Sequence, residues 1–493
     1  MSRSTWSPDR RVLTTGIVGL ITAVAFEGMA VPTVLPATVD DLGGLALYGW
    51  AFSAFWLTNI VGITIAGADA DRHGPLRAFA AGIVLFCVGL IGSATAAGMP
   101  MVIVGRAVQG LGAGAIGSVI YVVIARSYDQ SAMPRMLALN SSAWVVPGLV
   151  GPALAAWVVH VLDWRWVFGG LVPVVLITGL AVGVPIARLG PAKAAGESRG
   201  GRRGLLAATL AIGSTMVLAS LSAANVALAA VLLGAGGWLV VASLRVLLPS
   251  GTLRLRRGSP SVVAAIALVA FGFFGTEAFV PLAITSVRGS PLTVGGLALS
   301  AAAVTWTTGS WIQARLAPRG LRRELVSGGA LLIATGIVLS ALTLLPVLPV
   351  ATAGVAWAVA GLGMGLAYST LTLLVLETAE PGREGAASAG LQLAFTLGTA
   401  FGSGAGGALV ALADGGALPL AGAIAVTDAL MLAAMLGAAA VTRRIPERGP
   451  GAHPGERRGV ESSEPGSLHP EPPASPAGQL AGSFSEEGGP DGM

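Results

Sequence analysis

Charge is what this sequence has least of. Asp, Glu, Lys and Arg make up 11% of its 493 residues, while hydrophobic types make up 54%. An ordinary soluble domain carries about a quarter charged residues, and a chain this long folding in water would need them to coat its core. The scarcity argues against soluble readings and leaves the bilayer as the natural solvent. Cysteine occurs once, as Cys87 inside an apolar run, which excludes an intrachain disulfide framework and any cysteine-based metal site. Four scattered histidines are too few for a histidine cluster, so no metal is expected. Lysine is nearly absent: Lys193 stands alone against 28 arginines, and the formal charge is +5. These cations recur in short clusters between apolar runs rather than in one patch, so nucleic acid is not an expected partner. No P-loop or nucleophile motif appears, and the loops are too short for a catalytic domain. Neither enzyme activity nor a cofactor is expected.

What the sequence has in abundance is apolar runs. A bilayer core about 30 Å thick needs roughly 20 apolar residues per helix. Runs of that size begin near Val12, Trp50, Arg77, Met101, Met136 and Trp166. Two more cover Leu205–Leu221 and Asn225–Leu244, and six follow near Val262, Leu292, Val326, Val350, Ala386 and Leu418. Strict alternation is absent, so the spans are helices rather than barrel strands. The N-terminal run has no small-residue cleavage site in the expected place and reads as a retained first span. With that end inside, nearly every basic residue falls in a cytoplasmic segment, leaving Arg165 and Arg288 outside and Arg106 within a span. The expectation is an all-α integral membrane protein with 14 spans and both termini cytoplasmic. Dropping the pair at 205–244 would preserve parity and give twelve.

Order and spacing reveal an internal repeat. GLGAG at 110–114 recurs as GLGMG at 361–365, and FEGMAVP at 26–32 resembles TEAFVP at 276–281, setting Glu27 against Glu277. GPALAA at 151–156 aligns with GSGAGG at 402–407, and DRHGPLR at 71–77 has a degraded counterpart in APRGLRR at 317–323. Four pairs in register imply two parallel six-helix bundles related by an axis along the membrane normal. The expected divisions are a cytoplasmic N-terminus (1–11), a first bundle (12–187), a linker with two inserted helices (188–260), a second bundle (261–444) and a disordered cytoplasmic tail (445–493) rich in Pro, Gly, Ser and Glu.

Three motifs carry a family resemblance. The loop GADADRHGPLR (67–77) resembles the loop motif of the major facilitator superfamily, with Gly67, Asp71, Arg72 and Gly74 on the pattern and Arg77 near its basic end. RAVQGLGAG (106–114) resembles that superfamily's Arg-x-x-Gln-Gly-x-Gly motif through Arg106, Gln109 and Gly110. VVPGLVGPALAA (145–156) resembles its Gly-Pro-rich antiporter motif through Gly151 and Pro152. With WRWVF at 164–168, the chain is similar to the fourteen-span drug:proton antiporter group over about residues 10–444. The resemblance implies the major facilitator fold and a proton-coupled exporter of small hydrophobic or cationic compounds in a bacterial plasma membrane, expected to work as a monomer. Protons and membrane lipids would be its other partners. It also implies gating roles for Gly67, Asp71, Arg72, Gly74, Arg77, Arg106, Gly110, Gly151 and Pro152. A dedicated exporter of an endogenous lipid, siderophore or secondary metabolite is the alternative.

Acids inside spans cost roughly 2.5 kcal/mol or more at the bilayer centre, so each is a functional candidate. Glu27, Glu277 and Asp428 are the proton-coupling candidates: a carboxyl in such a place can hold a proton and release it when the cavity opens to water. Asn59, Gln109, Asn140, Trp144 and Gln392 are the substrate-cavity candidates, since mixed amide and aromatic walls suit amphiphilic cations.

Overall fold

The computed structural model describes residues 8–129, 142–187, 200–223, 225–378 and 384–445, with isolated positions 132, 135, 136, 139 and 189. The tail expected to be disordered lies, from 446 onward, outside the described residues, as do residues 1–7 of the N-terminus and most of 188–199.

Among the described residues the chain is helical throughout. The first half runs α1 (Pro8–Leu42), α2 (Tyr48–His73), α3 (Pro75–Ala94), α4 (Met99–Ser127), α5 (Val145–Val161) and α6 (Arg165–Ile186). Two further helices follow, α7 (Gly200–Ser220) and α8 (Val226–Leu247). The second half runs α9 (Ser259–Val287), α10 (Leu292–Leu316), α11 (Arg322–Leu342), α12 (Thr352–Glu377), α13 (Glu384–Asp414) and α14 (Leu420–Val441). Among the described residues, twelve helices are long and apolar enough to cross a membrane. The fourteen expected from the sequence exceed that number by two. Of the remaining helices, α5 has 17 described residues, and α10 is long enough but mixes Thr, Ser, Gly and Gln into its apolar run.

Helix boundaries follow local chemistry. Gly74 ends α2 with φ of 88°, a backbone conformation that L side chains rarely adopt, and Pro75 starts α3 at a position where its missing N–H costs nothing. Asn225 caps α8, its side-chain oxygen accepting from the backbone N–H of Ala227 at 2.7 Å.

Packing within each half depends on glycine. A Cβ at Gly110 of α4 would overlap the carbonyl oxygen of Phe55 on α2, and a Cβ at Gly361 of α12 would overlap that of Ala302 on α10. With no hydrophobic drive between helices in lipid, such close backbone approach is how spans hold together. The same contact made at 110 and at 361 gives the GLGAG/GLGMG echo a structural meaning.

The two halves meet at the end of the bundle marked by Tyr48. The Tyr48 hydroxyl donates to the Ala278 carbonyl at 3.0 Å and its ring lies 5.5 Å from that of Phe279. Ser53 Oγ donates to the Ala400 carbonyl at 2.9 Å, and Gly49 faces Gly407 too closely for a side chain on either. Gly296 of α10 lies against the Pro152 carbonyl of α5. At the opposite end, the ion pairs Arg10–Asp129 (3.2 Å) and Arg322–Glu377 (2.8 Å) each lie within one half.

Candidate functional site

The first half buries a charged cluster. Glu27 on α1 is 1% exposed and Arg106 on α4 is 2% exposed. Arg106 Nη1 donates to Glu27 Oε1 and to Gln109 Oε1, the latter at 2.8 Å. Its Nε donates to the Ala51 carbonyl of α2 at 3.1 Å, and the guanidinium stands 4.3 Å from the centre of the Phe55 ring. Three helices therefore converge on one cation. The planar fork of arginine suits that task, since its donors point in fixed, divergent directions. The cluster is not saturated: Glu27 Oε2 and Gln109 Nε2 are buried without a hydrogen-bond partner. Such polar groups are costly in a dry interior: the carboxylate oxygen is open to a proton or a donor, and the amide nitrogen to an acceptor.

From Phe55 an aromatic series crosses to the second half. Phe55 meets Trp56 edge-on at 5.2 Å, and Trp56 meets Phe395 of α13 at 6.4 Å. Phe395 contacts Phe274 of α9 (5.2 Å) and Tyr368 of α12 (5.1 Å), and both of these contact Trp306 of α10. Trp56, Phe274, Trp306, Tyr368 and Phe395 are half-buried, so they form a wall, while Phe273 and Trp357 stack behind it at 5.3 Å, fully buried.

The remaining sequence candidates are spread more widely. Asn59 is buried, its Nδ2 donating to the Gly110 carbonyl at 3.4 Å, which places it in the α2–α4 seam. Trp144 and Gln392 are exposed, and Asn140 lies outside the described residues. Glu277 is half-buried, with no ion pair among the described residues. Asp428 of α14 is 3% exposed and shares with Thr276 and Ser340 a crevice too tight for a water molecule. Near the α2–α3 turn, Asp69 is the acid with close partners: His73 Nδ1 lies 2.8 Å and Arg77 Nε 3.8 Å from its carboxylate. Asp71 and Arg72 are exposed. Asp69 precedes His73 by one helical turn, which brings the two side chains together. Gly67 lies against Ser118 of α4, Gly151 makes ordinary contact with Phe26, and Pro152 takes part in the contact with α10 described above.

Sequence reasoning offered Trp144 as the aromatic cavity candidate and missed Phe55, Trp56, Phe274 and Phe395. Phenylalanine in an apolar run carries no periodic signal separating cavity from lipid.

Comparison with known proteins agrees with the helical fold. The sequence model described as Major Facilitator Superfamily matches residues 16–403. A protein described as a probable multidrug-efflux transporter of Mycobacterium tuberculosis is 28% identical over 459 residues, covering 86% of this chain and 93% of its own. A multidrug transporter of Bacillus subtilis is 25% identical over 419 residues, covering 82% of this chain and 75% of its own. Among solved structures, a POT family transporter superposes with a TM-score of 0.63 at 14% identity, over 87% of this chain and 97% of its own. A bacterial homologue of the human lysosomal transporter Spinster, in an inward-facing and unoccupied conformation, gives 0.60 at 13% identity, over 89% and 98%. These two likenesses establish the fold.

Proposed function

Because the chain belongs to the major facilitator superfamily and is a multi-pass transporter of the membrane, we propose that it exports small hydrophobic or cationic compounds in exchange for protons, by alternating access. The observation that carries this reading is the buried Glu27–Arg106–Gln109 cluster standing at one end of a half-buried aromatic wall. Aromatic faces hold apolar and cationic substrates without demanding one shape. Acids within the spans supply groups that exchange protons as the cavity changes its access to water. Glu27, Glu277 and Asp428 are those acids. The names of the relatives from M. tuberculosis and B. subtilis support multidrug efflux as the substrate class.

The same reading counts α5 and α10 as spans beside the twelve apolar ones, making fourteen, with α7 and α8 inserted between two six-helix bundles. A helix lining a wet cavity tolerates the Thr, Ser and Gln of α10. Arg72, Arg77, Arg254, Arg256, Arg257, Arg319 and Arg444 then mark the cytoplasmic side, and the Tyr48 end faces outward. In this reading the contacts across the halves at that end close the outer side. In this cycle the chain works as a monomer, with Gly67, Asp71, Arg72, Gly74, Arg77, Gly110, Gly151 and Pro152 at the moving seams.

The test uses everted membrane vesicles energised by respiration, with ethidium as probe. Vesicles carrying the protein are expected to accumulate ethidium, and a protonophore to abolish the accumulation. Accumulation indifferent to the protonophore would overturn proton coupling. Failure of every member of a panel of lipophilic cations and neutral drugs to move would favour a dedicated endogenous substrate.

A further inference from the structure

The two halves repeat their backbone contacts but not their charges. RAVQGLGAG at 106–114 superimposes residue for residue on WAVAGLGMG at 357–365, and the match is structural: Gly110 and Gly361 press against Phe55 and Ala302, and Gly114 and Gly365 press against the carbonyls of Asn59 and Trp306. In this register Arg106 corresponds to Trp357 and Gln109 to Ala360. Glu27 corresponds to Glu277, its counterpart in the FEGMAVP/TEAFVP echo. In the first half, then, the acid is neutralised by an arginine and the arginine is held by an amide. In the second half the acid is kept, while cation and amide have become a tryptophan and an alanine.

Glu277 is accordingly an acid whose counter-ion has been removed. It keeps partial exposure and has no ion pair among the described residues. Phe273 and Phe274 precede it by about one helical turn, so all three share one face of α9. Phe274 belongs to the half-buried wall, 6.3 Å from Trp306 and 5.2 Å from Phe395. Trp357, in the position equivalent to Arg106, stacks on Phe273 and leaves its indole N–H buried without a partner. An unpaired carboxylate beside aromatic faces recognises a particular ligand: a lipophilic organic cation, whose charge the carboxylate balances and whose body the rings cover. A neutral compound of like size gains only the rings.

We propose that Glu277, with Phe274 and Trp306, forms a binding site for a lipophilic organic cation in the second half of the molecule. The bound cation supplies to Glu277 the counter-charge that Arg106 supplies permanently to Glu27 in the first half. The proposal rests on the efflux reading above and sharpens it, since it divides the two repeat-related acids between two tasks. Glu27 stays with its built-in cation; Glu277 receives an external one.

The test is equilibrium binding to the full chain in lipid nanodiscs, with tetraphenylphosphonium as the cationic probe and triphenylphosphine oxide as a neutral one. Glu277→Gln is expected to weaken tetraphenylphosphonium by about tenfold or more, as loss of a charge partner in a desolvated site implies. Triphenylphosphine oxide should change by less than about twofold, and Glu277→Asp should recover most of the cation affinity. Undiminished cation binding by Glu277→Gln would overturn the site while leaving the efflux reading standing. Failure of the unmodified protein to bind either probe would overturn both. If Glu277→Gln binds neither probe, Phe274→Leu and Trp306→Leu decide. A larger loss for the cation than for the neutral probe supports the site, and equal losses contradict it.

Discussion

Glu27 and Arg106, 79 positions apart in sequence, form a buried ion pair in which one carboxylate oxygen is bound and the other is left without a hydrogen-bond partner. Pairing makes the arginine tolerable at membrane depth. The proposed proton exchange would use the free oxygen. A structural pair would gain by satisfying both oxygens, so this half-satisfied arrangement suits a site that changes state.

Removing the cation exposes the cost of the acid. Arg106→Ala leaves Glu27 buried and unpaired, a change worth about 3–5 kcal/mol when one partner of a buried pair is lost. The expected outcome is a large fall in the thermal unfolding temperature in detergent and loss of transport. Arg106→Lys keeps the charge but not the fork that reaches Ala51, Gln109 and Glu27 together, so it should restore stability only partly. Equal unfolding temperatures for Arg106→Ala and the unmodified protein would contradict the pairing.

The α2–α4 seam predicts a contrast between glycines. At Gly110 an alanine methyl would overlap the Phe55 carbonyl, and overpacking of this kind costs about 1–3 kcal/mol. At Gly234 on α8 a methyl meets nothing within 4 Å, so alanine there should be neutral or mildly stabilising. Thermal unfolding of Gly110→Ala and Gly234→Ala checks the pair, and Gly361→Ala should behave like Gly110→Ala.

Closure at the Tyr48 end can be locked. Ser53 and Ser403 bring their hydroxyl oxygens to 3.4 Å across the two halves, close enough for cysteines placed there to meet. Cys87 is buried and is the chain's single cysteine, so the background is simple. The double variant Ser53→Cys, Ser403→Cys should transport when reduced, stop when oxidised and recover with reductant. Transport that continues with the disulfide formed would show that this end does not open during the cycle.

At the α2–α3 turn the geometry shifts weight from Asp71 to Asp69. Asp69→Asn removes the partner of both His73 and Arg77, while Asp71→Asn removes an exposed carboxylate. Transport rates should fall several-fold for Asp69→Asn and less for Asp71→Asn; exposed pairs of this kind contribute up to about 1 kcal/mol. The reverse order would return the role to the residue that the family motif favours.

Much of the fold was legible because span length and repeated glycines are written locally. GLGAG and GLGMG announce helix faces that need close approach, and the structure uses both in the same way. Glu27 and Arg106 were each conspicuous as charges within apolar runs. Their partnership was not, since nothing in a single sequence says which distant helices touch. Two helices that sequence counting treats as spans, α5 and α10, fall outside the apolar twelve: α5 has 17 described residues, and α10 is rich in Thr, Ser and Gly. The exchange of Arg106 for Trp357 was present in the sequence, but it becomes informative only when both helices are seen making the same contacts.

The central claim, that acids within the spans couple substrate to protons, is tested most directly by proton movement. In everted vesicles holding a preformed pH gradient, tetraphenylphosphonium should collapse the gradient when the unmodified protein is present. The collapse should disappear in the Glu27→Gln, Glu277→Gln double variant, reconstituted at matched amounts of folded protein. Collapse of equal rate and extent in that variant would contradict the account.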